Sequence, residues 1–205
     1  MPEYLATRNR HYNKYTPFWG ASCMHKLLEK LCKDHGNLEK ILTLLSTQQD
    51  HFFAGRESNF DLKIELLEYL ETYADMGHHP LENLIFDTVR TELNEEQTEL
   101  IDRLQAQHDS LVQLTRTFRQ SLENVLQGGV MPREELEVQG REYVALQRQH
   151  IALEEAEAFP LIEEKMTDEK WREVAINMPR YDDPVFESPD KVRFTTLFEY
   201  LSNNH

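Results

Sequence analysis

His78 and Glu82 stand four residues apart, and so do His150 and Glu154. On a helix an i, i+4 pair shares one face a turn apart, so an imidazole nitrogen and a carboxylate oxygen can reach one point. Each pair follows a lone histidine: His35 lies 43 residues before His78, and His108 lies 42 before His150. The chain therefore repeats a unit in which one helix brings a histidine and the next brings His-x-x-x-Glu. Two carboxylates can bridge two metal ions while each ion takes two imidazoles, which leaves room for a bridging oxygen and an outside molecule. That donor set suits iron. A structural zinc site would more often be cysteine-rich and closed.

The elements that must position these residues are four long helices. Leu27, Leu28, Leu31, Leu38, Ile41, Leu42 and Leu45 form the stripe of a first helix, about Cys23 to Leu45. The polar stretch TQQDHFFAGRESN separates it from a second, about Phe60 to Thr88. Asn94, followed by Glu95 and Glu96, is a candidate N-cap for a third, which runs to about Leu126 and stops at Gly128-Gly129. Pro132 opens a fourth that reaches about Lys165. At about 1.5 Å per residue, His35 and His78 fall within a turn or two of the same height, and the second hairpin behaves alike. Stacking the hairpins about a pseudo-twofold axis brings four histidines and two glutamates to one layer. The fold expected is all-α: an antiparallel up-down four-helix bundle over residues 23–166, after an N-terminal extension at 1–22. Residues 167–205 form a C-terminal extension with short helices near Trp171 and from Phe194 to Leu201, packed on the outside of the bundle. Ferritin-like di-iron bundles use Glu-x-x-His instead, and none occurs here, the nearest being Asp75-x-x-His78.

Composition narrows the partners. A net charge of −15 argues against nucleic acid and anionic lipid surfaces. No apolar run approaches the roughly 20 residues of a membrane span, and the beginning MPEYLATRNRHYNKY lacks a secretory apolar core. Cys23 and Cys32 lie nine apart on one expected helix, about 13 Å of rise, which argues against a disulfide between them. Reduced thiols and the absence of a signal point to the cytoplasm. No phosphate loop, nucleotide fingerprint or nucleophile elbow appears.

Several neighbours invite a role. His11, His25, His51 and His205 fit ordinary core or surface positions. His79 adjoins His78 but points about 100° away around a helix, which leaves packing and metal contact both open. Pro80, with Gly77 before it, predicts either a π-bulge beside the site or a helix that bends to follow the bundle. Tyr143 is seven residues before His150, where it reaches the site from above or fills the core. Phe86 and Phe159 lie about one turn beyond the glutamates and supply an apolar wall.

At His78-His79-Pro80-Leu81-Glu82-Asn83 and His150-Ile151-Ala152-Leu153-Glu154-Glu155 the sequence resembles the hemerythrin family, in its HHE cation-binding branch. Asp34-His35-Gly36-Asn37-Leu38 resembles that family's first-helix motif, and Gln107-His108-Asp109-Ser110-Leu111 its third-helix motif. Asp182-Asp183-Pro184-Val185-Phe186 is similar to the C-terminal extension of a bacterial subgroup. The resemblance, from about Met24 to Lys165, implies two iron ions, oxo- or hydroxo-bridged, one bound by His35 and His78 and the other by His108 and His150. Glu82 and Glu154 would bridge them. Oxygen-carrying hemerythrins have a fifth histidine one turn before the third-helix ligand, where this chain has Leu104, and a bridging aspartate where Glu154 stands. The resulting set resembles bacterial di-iron proteins linked to repair of iron–sulfur clusters and nitric-oxide stress, and the iron-sensing domain of a eukaryotic ubiquitin-ligase subunit. The repair proteins usually carry an N-terminal Cys-Cys module, and nothing like it precedes Cys23.

The function implied is binding or sensing a small oxidant (O2, NO or peroxide), or handling iron under oxidative or nitrosative stress. A di-iron oxidoreductase or peroxidase and a metal-free interaction bundle are the alternatives. The partner expected is a small diatomic molecule or peroxide, with no nucleic acid and no membrane, and a homodimer is left open.

Overall fold

The computed structural model describes residues 24–203, and among them every regular element is helical. Four arms form the bundle. The first is α1, Lys26–Phe53. The second is α2, Phe60–Tyr69, which widens into a π-helical stretch at Leu70–His78 and continues as α3, His79–Val89. The third is α4, Glu95–Leu126. The fourth is α5, Arg133–Leu153, then a second π stretch at Glu154–Ala158, then α6, Phe159–Lys165. Two short helices follow, α7 at Asp168–Asn177 and α8 at Thr195–Asn203.

Local chemistry fixes the boundaries. Asn94 accepts from the Gln97 amide while Gln97 reaches back to the Asn94 amide, a reciprocal cap that starts α4. Gly128, at a φ of 88°, turns the chain after α4 in a conformation that L side chains resist. The first helix runs eight residues beyond the Leu45 end expected from its leucine stripe. Gln48 explains the difference, because its side chain accepts from the Asn59 amide and its carbonyl from the Ser58 hydroxyl. The last two turns are thus tied to the connection that follows, and Phe52 and Phe53 pack against the core.

Both π stretches end next to a proline. The His79 amide donates to Ala74 and the Phe159 amide to Glu154, each five residues back. Pro80 and Pro160 then stand in the first turns of α3 and α6. A proline inside a helix offers no N–H and crowds the carbonyl four residues before it, and a widened turn relieves both. Of the two readings of Gly77 and Pro80, a π-bulge or a simple bend, the structure has the bulge, and the second bulge lies where none was expected.

The core is split in two. Leu38, Ile41, Leu66, Leu70, Leu111 and Tyr143 belong to one apolar cluster. Leu28, Leu31, Ile85, Phe86, Leu104 and Phe159 belong to the other. His35, His78, His108 and His150 each fall, along their own arm, between a residue of one cluster and a residue of the other.

The C-terminal segment is built into this packing. Asp183 is buried and accepts from the Tyr69 hydroxyl at 2.9 Å. Glu65 accepts from the Thr196 and Leu197 amides at the start of α8. Phe194, Leu197 and Val185 join the first cluster, and α7 packs on α3. Tyr181 lies against the π stretch so closely that a Cβ on Gly77 would stand 2.8 Å from its Cδ1. Gly77→Val should therefore cost roughly 1–3 kcal/mol by overpacking, read as a lower Tm. Placed on a Tyr181→Ala background, the same change should lose most of that cost.

Candidate metal centre

All six residues singled out by spacing meet in the polar layer, and each is at most 3% exposed. Glu82 turns one oxygen, Oε1, toward His35 Nε2 at 3.3 Å and His78 Nε2 at 3.1 Å, and the other toward His108 Nε2 at 3.3 Å. Glu154 Oε2 lies 3.3 Å from His35 Nε2 and 3.2 Å from His150 Nε2, and its Oε1 lies 3.6 Å from His108 Nε2. Each carboxylate therefore spans both hairpins.

The outward nitrogens are held as regularly. His35 Nδ1 lies 3.0 Å from Glu155 Oε1, and His108 Nδ1 lies 2.9 Å from Asn83 Oδ1. His150 Nδ1 lies 3.1 Å from Gln107 Oε1, and His78 Nδ1 faces Asp34 Oδ2 at 3.5 Å. An oxygen acceptor on Nδ1 keeps the proton there and turns the Nε2 lone pair inward. Sequence reasoning assigned no role to Asp34, Asn83, Gln107 or Glu155. Their signal was available, since each is the immediate chain neighbour of His35, Glu82, His108 or Glu154.

The remaining expectations separate clearly. Phe159 stacks on the His35 ring at 5.5 Å and Phe86 on the His108 ring at 6.0 Å, so both form the apolar wall. Tyr143 is a core residue whose hydroxyl neighbours Asp75 and Thr115, and burial pushes its pKa up. His25 stacks on Trp171 at 3.9 Å, away from the layer. Cys32 is a free thiol that burial raises to about 11. His11, His205 and Cys23 lie outside the described residues.

The donor set fits metal on its own chemistry. His108 Nε2 and His150 Nε2 approach to 2.9 Å, although both Nδ1 atoms face amide oxygens. Two lone pairs at that distance repel unless a proton or cation sits against them. Glu82 Oε2 and both Glu154 oxygens are buried with no hydrogen-bond partner, a costly state for a carboxylate. Neighbouring ligands on an ion with bonds of about 2.1 Å stand about 3 Å apart, close to the 2.9–3.3 Å that separates most of these donors. Two groups of inward donors, His35–His78–Glu82 and His79–Glu82–His108–His150, each lie within 4.8 Å.

Residues 26–162 match the hemerythrin HHE cation-binding domain, and the chain belongs to that family. No curated protein and no solved structure matches it. The family and the buried His/Glu layer together make this a cation-binding bundle. No helix of the described residues is long and apolar enough to cross a membrane.

Without metal, protons fill the same role. Burial disfavours an imidazolium at His35, yet the surrounding carboxylates of Glu154, Glu155 and Glu82 outweigh it and raise its pKa well above the ordinary range. His108 rises to about 9 against its own burial, through Glu154 and Glu82, and His78 rises through Glu82 and Asp34. Glu82 and Glu154 are held low despite burial by the imidazoles around them. His79 goes the other way, kept neutral by burial and by His108. Raised histidines stabilise the folded apoprotein below their unfolded value of 6.5, and that stability is lost as pH climbs through the folded values. The depressed carboxylates contribute above about pH 4.5, and His79 costs stability below about 6.5. The metal-free protein should be most stable near pH 6.5. Its Tm should drop by several degrees by about pH 9, since the His108 shift alone is on the order of 3 kcal/mol. A Tm that is flat or rising over that interval would contradict this charge balance.

Proposed function

We propose that this protein binds two iron ions through His35, His78, Glu82, His108, His150 and Glu154 and uses them to bind or sense a small oxidant, or to handle iron under stress. The observation that carries the reading is the span of each carboxylate. Glu82 Oε1 faces His35 and His78 of the first hairpin and its Oε2 faces His108 of the second. Glu154 Oε2 faces His35 and His150, and its Oε1 faces His108. A single ion would not need two carboxylates that each face both hairpins. Bound iron supplies redox exchange and a coordination position for O2, NO or peroxide.

The chain's own residues do the rest. Glu82 and Glu154 offset the ions' charge inside a layer from which water is excluded. Asp34, Asn83, Gln107 and Glu155 orient the imidazoles. Phe86 and Phe159 give the neighbourhood an apolar wall suited to small uncharged gases. A cavity of about 370 Å³ reaches His78 and Asp34 from the side of the C-terminal segment, between Lys30, Tyr73, Arg180 and Tyr181. It is wide enough for a diatomic molecule or peroxide, since a water molecule occupies about 30 Å³.

Metal analysis of purified protein should find about two irons per chain, with an oxidised spectrum that changes on adding NO or peroxide. Removing iron should lower Tm, because a ligand bound only by the folded state stabilises it by mass action. Iron-free protein after loading, or a Tm indifferent to chelation, would defeat the proposal. Asn83→Ala and Gln107→Ala should each weaken iron binding by about 10–100-fold while leaving the bundle folded.

A further inference from the structure

Along the sequence, the layer's ligands and their outer partners repeat, with one exception. Shifting the first hairpin's positions by 72 or 73 residues turns His35, His78 and Glu82 into His108, His150 and Glu154. The same shift turns Asp34 and Asn83 into Gln107 and Glu155. Applied to His79 and Asp75 it arrives at Ile151 and Gln147. His79 has no counterpart.

Its position is not that of a residue pointing away from the site. The wide turn that ends at His79 advances less around the axis per residue than an α-helix does, so the ring swings back toward the layer. It stacks on His108, with centroids 4.4 Å apart and planes at 16°, and meets His150 edge-on at 5.7 Å. One ring nitrogen lies within 4.8 Å of donor atoms from Glu82, His108 and His150. Both ring nitrogens are buried without a hydrogen-bond partner, which a residue serving only to pack would do better without. Nδ1 faces Asp75 Oδ1 at 3.4 Å, much as His78 Nδ1 faces Asp34 at 3.5 Å, and Nε2 is the nitrogen left over.

We propose that His79 is a third imidazole ligand of the half-site formed by His108 and His150. The centre then holds five histidines, three on one ion and two on the other. The additional imidazole comes from the second arm, while the third-helix position one turn before His108 is Leu104. This assignment rests on the iron-binding proposal above and adds one ligand to it.

Proton NMR of the diferrous protein in H2O tests it. Each coordinated imidazole keeps one N–H, which gives a strongly shifted, solvent-exchangeable signal beside paramagnetic iron. The intact protein should show five such signals and His79→Leu four, with about two irons retained in both. Four signals in the intact protein, unchanged in His79→Leu, would overturn the five-histidine assignment and leave the six-residue centre standing. No shifted N–H signals at all would overturn both. The count on the intact protein is decisive even where a variant folds poorly, and His79→Gln gives a polar replacement of similar reach.

Discussion

Glu82 and Glu154 lie side by side with no solvent contact, each bringing a carboxylate into a layer bounded above and below by apolar side chains. Like charges in such a place are expensive unless positive charge joins them. In the metal-free protein that charge is protons on His35, His78 and His108. In the proposed iron-loaded protein it is the two ions. The polar layer, the divided core and the aromatic rings over the imidazoles all follow from enclosing those two carboxylates. A cation-binding family match over residues 26–162 accords with a fold organised in this way.

Much of the fold could be read from the sequence because its signals are periodic and local. The leucine stripe of α1, the Asn94 cap and the Gly128 stop depend on residues a few positions apart. The convergence of His35, His78, His108 and His150 was legible for a related reason, since nearly equal intervals on antiparallel helices return to the same height. What escaped depends on contacts between arms. The end of α1 was hidden because Gln48 is tied to Ser58 and Asn59, a connection no periodicity reports. The bulge at Glu154–Ala158 carries no glycine, and only Pro160 hinted at it. The place of His79 was ambiguous because an α-helical wheel rotates it off the site face, and the π stretch before it changes that rotation.

The two bulges differ in where they sit relative to their ligand pairs. One ends at His78, before the His78–Glu82 pair, and the other begins at Glu154, after the His150–Glu154 pair. Both pairs keep four-residue α spacing between histidine and glutamate. The backbone therefore departs from twofold symmetry, and the carboxylates depart with it, since Glu82 Oε1 faces both histidines of its own hairpin while Glu154 Oε2 faces one from each. The C-terminal segment adds to the difference, since it grips the second arm through Glu65, Tyr69 and Gly77.

The outer oxygens have a consequence that appears when their helices are followed in order. Asp34 on the first arm holds His78 on the second, and Asn83 on the second holds His108 on the third. Gln107 on the third holds His150 on the fourth, and Glu155 on the fourth returns to His35 on the first. The four contacts close into a ring with no first or last member. Each arm gives one link and receives one, so no arm can turn about its axis without straining two of them. Imidazole alignment is therefore a property of the circuit, and loosening any one helix is felt at histidines on both of its neighbours.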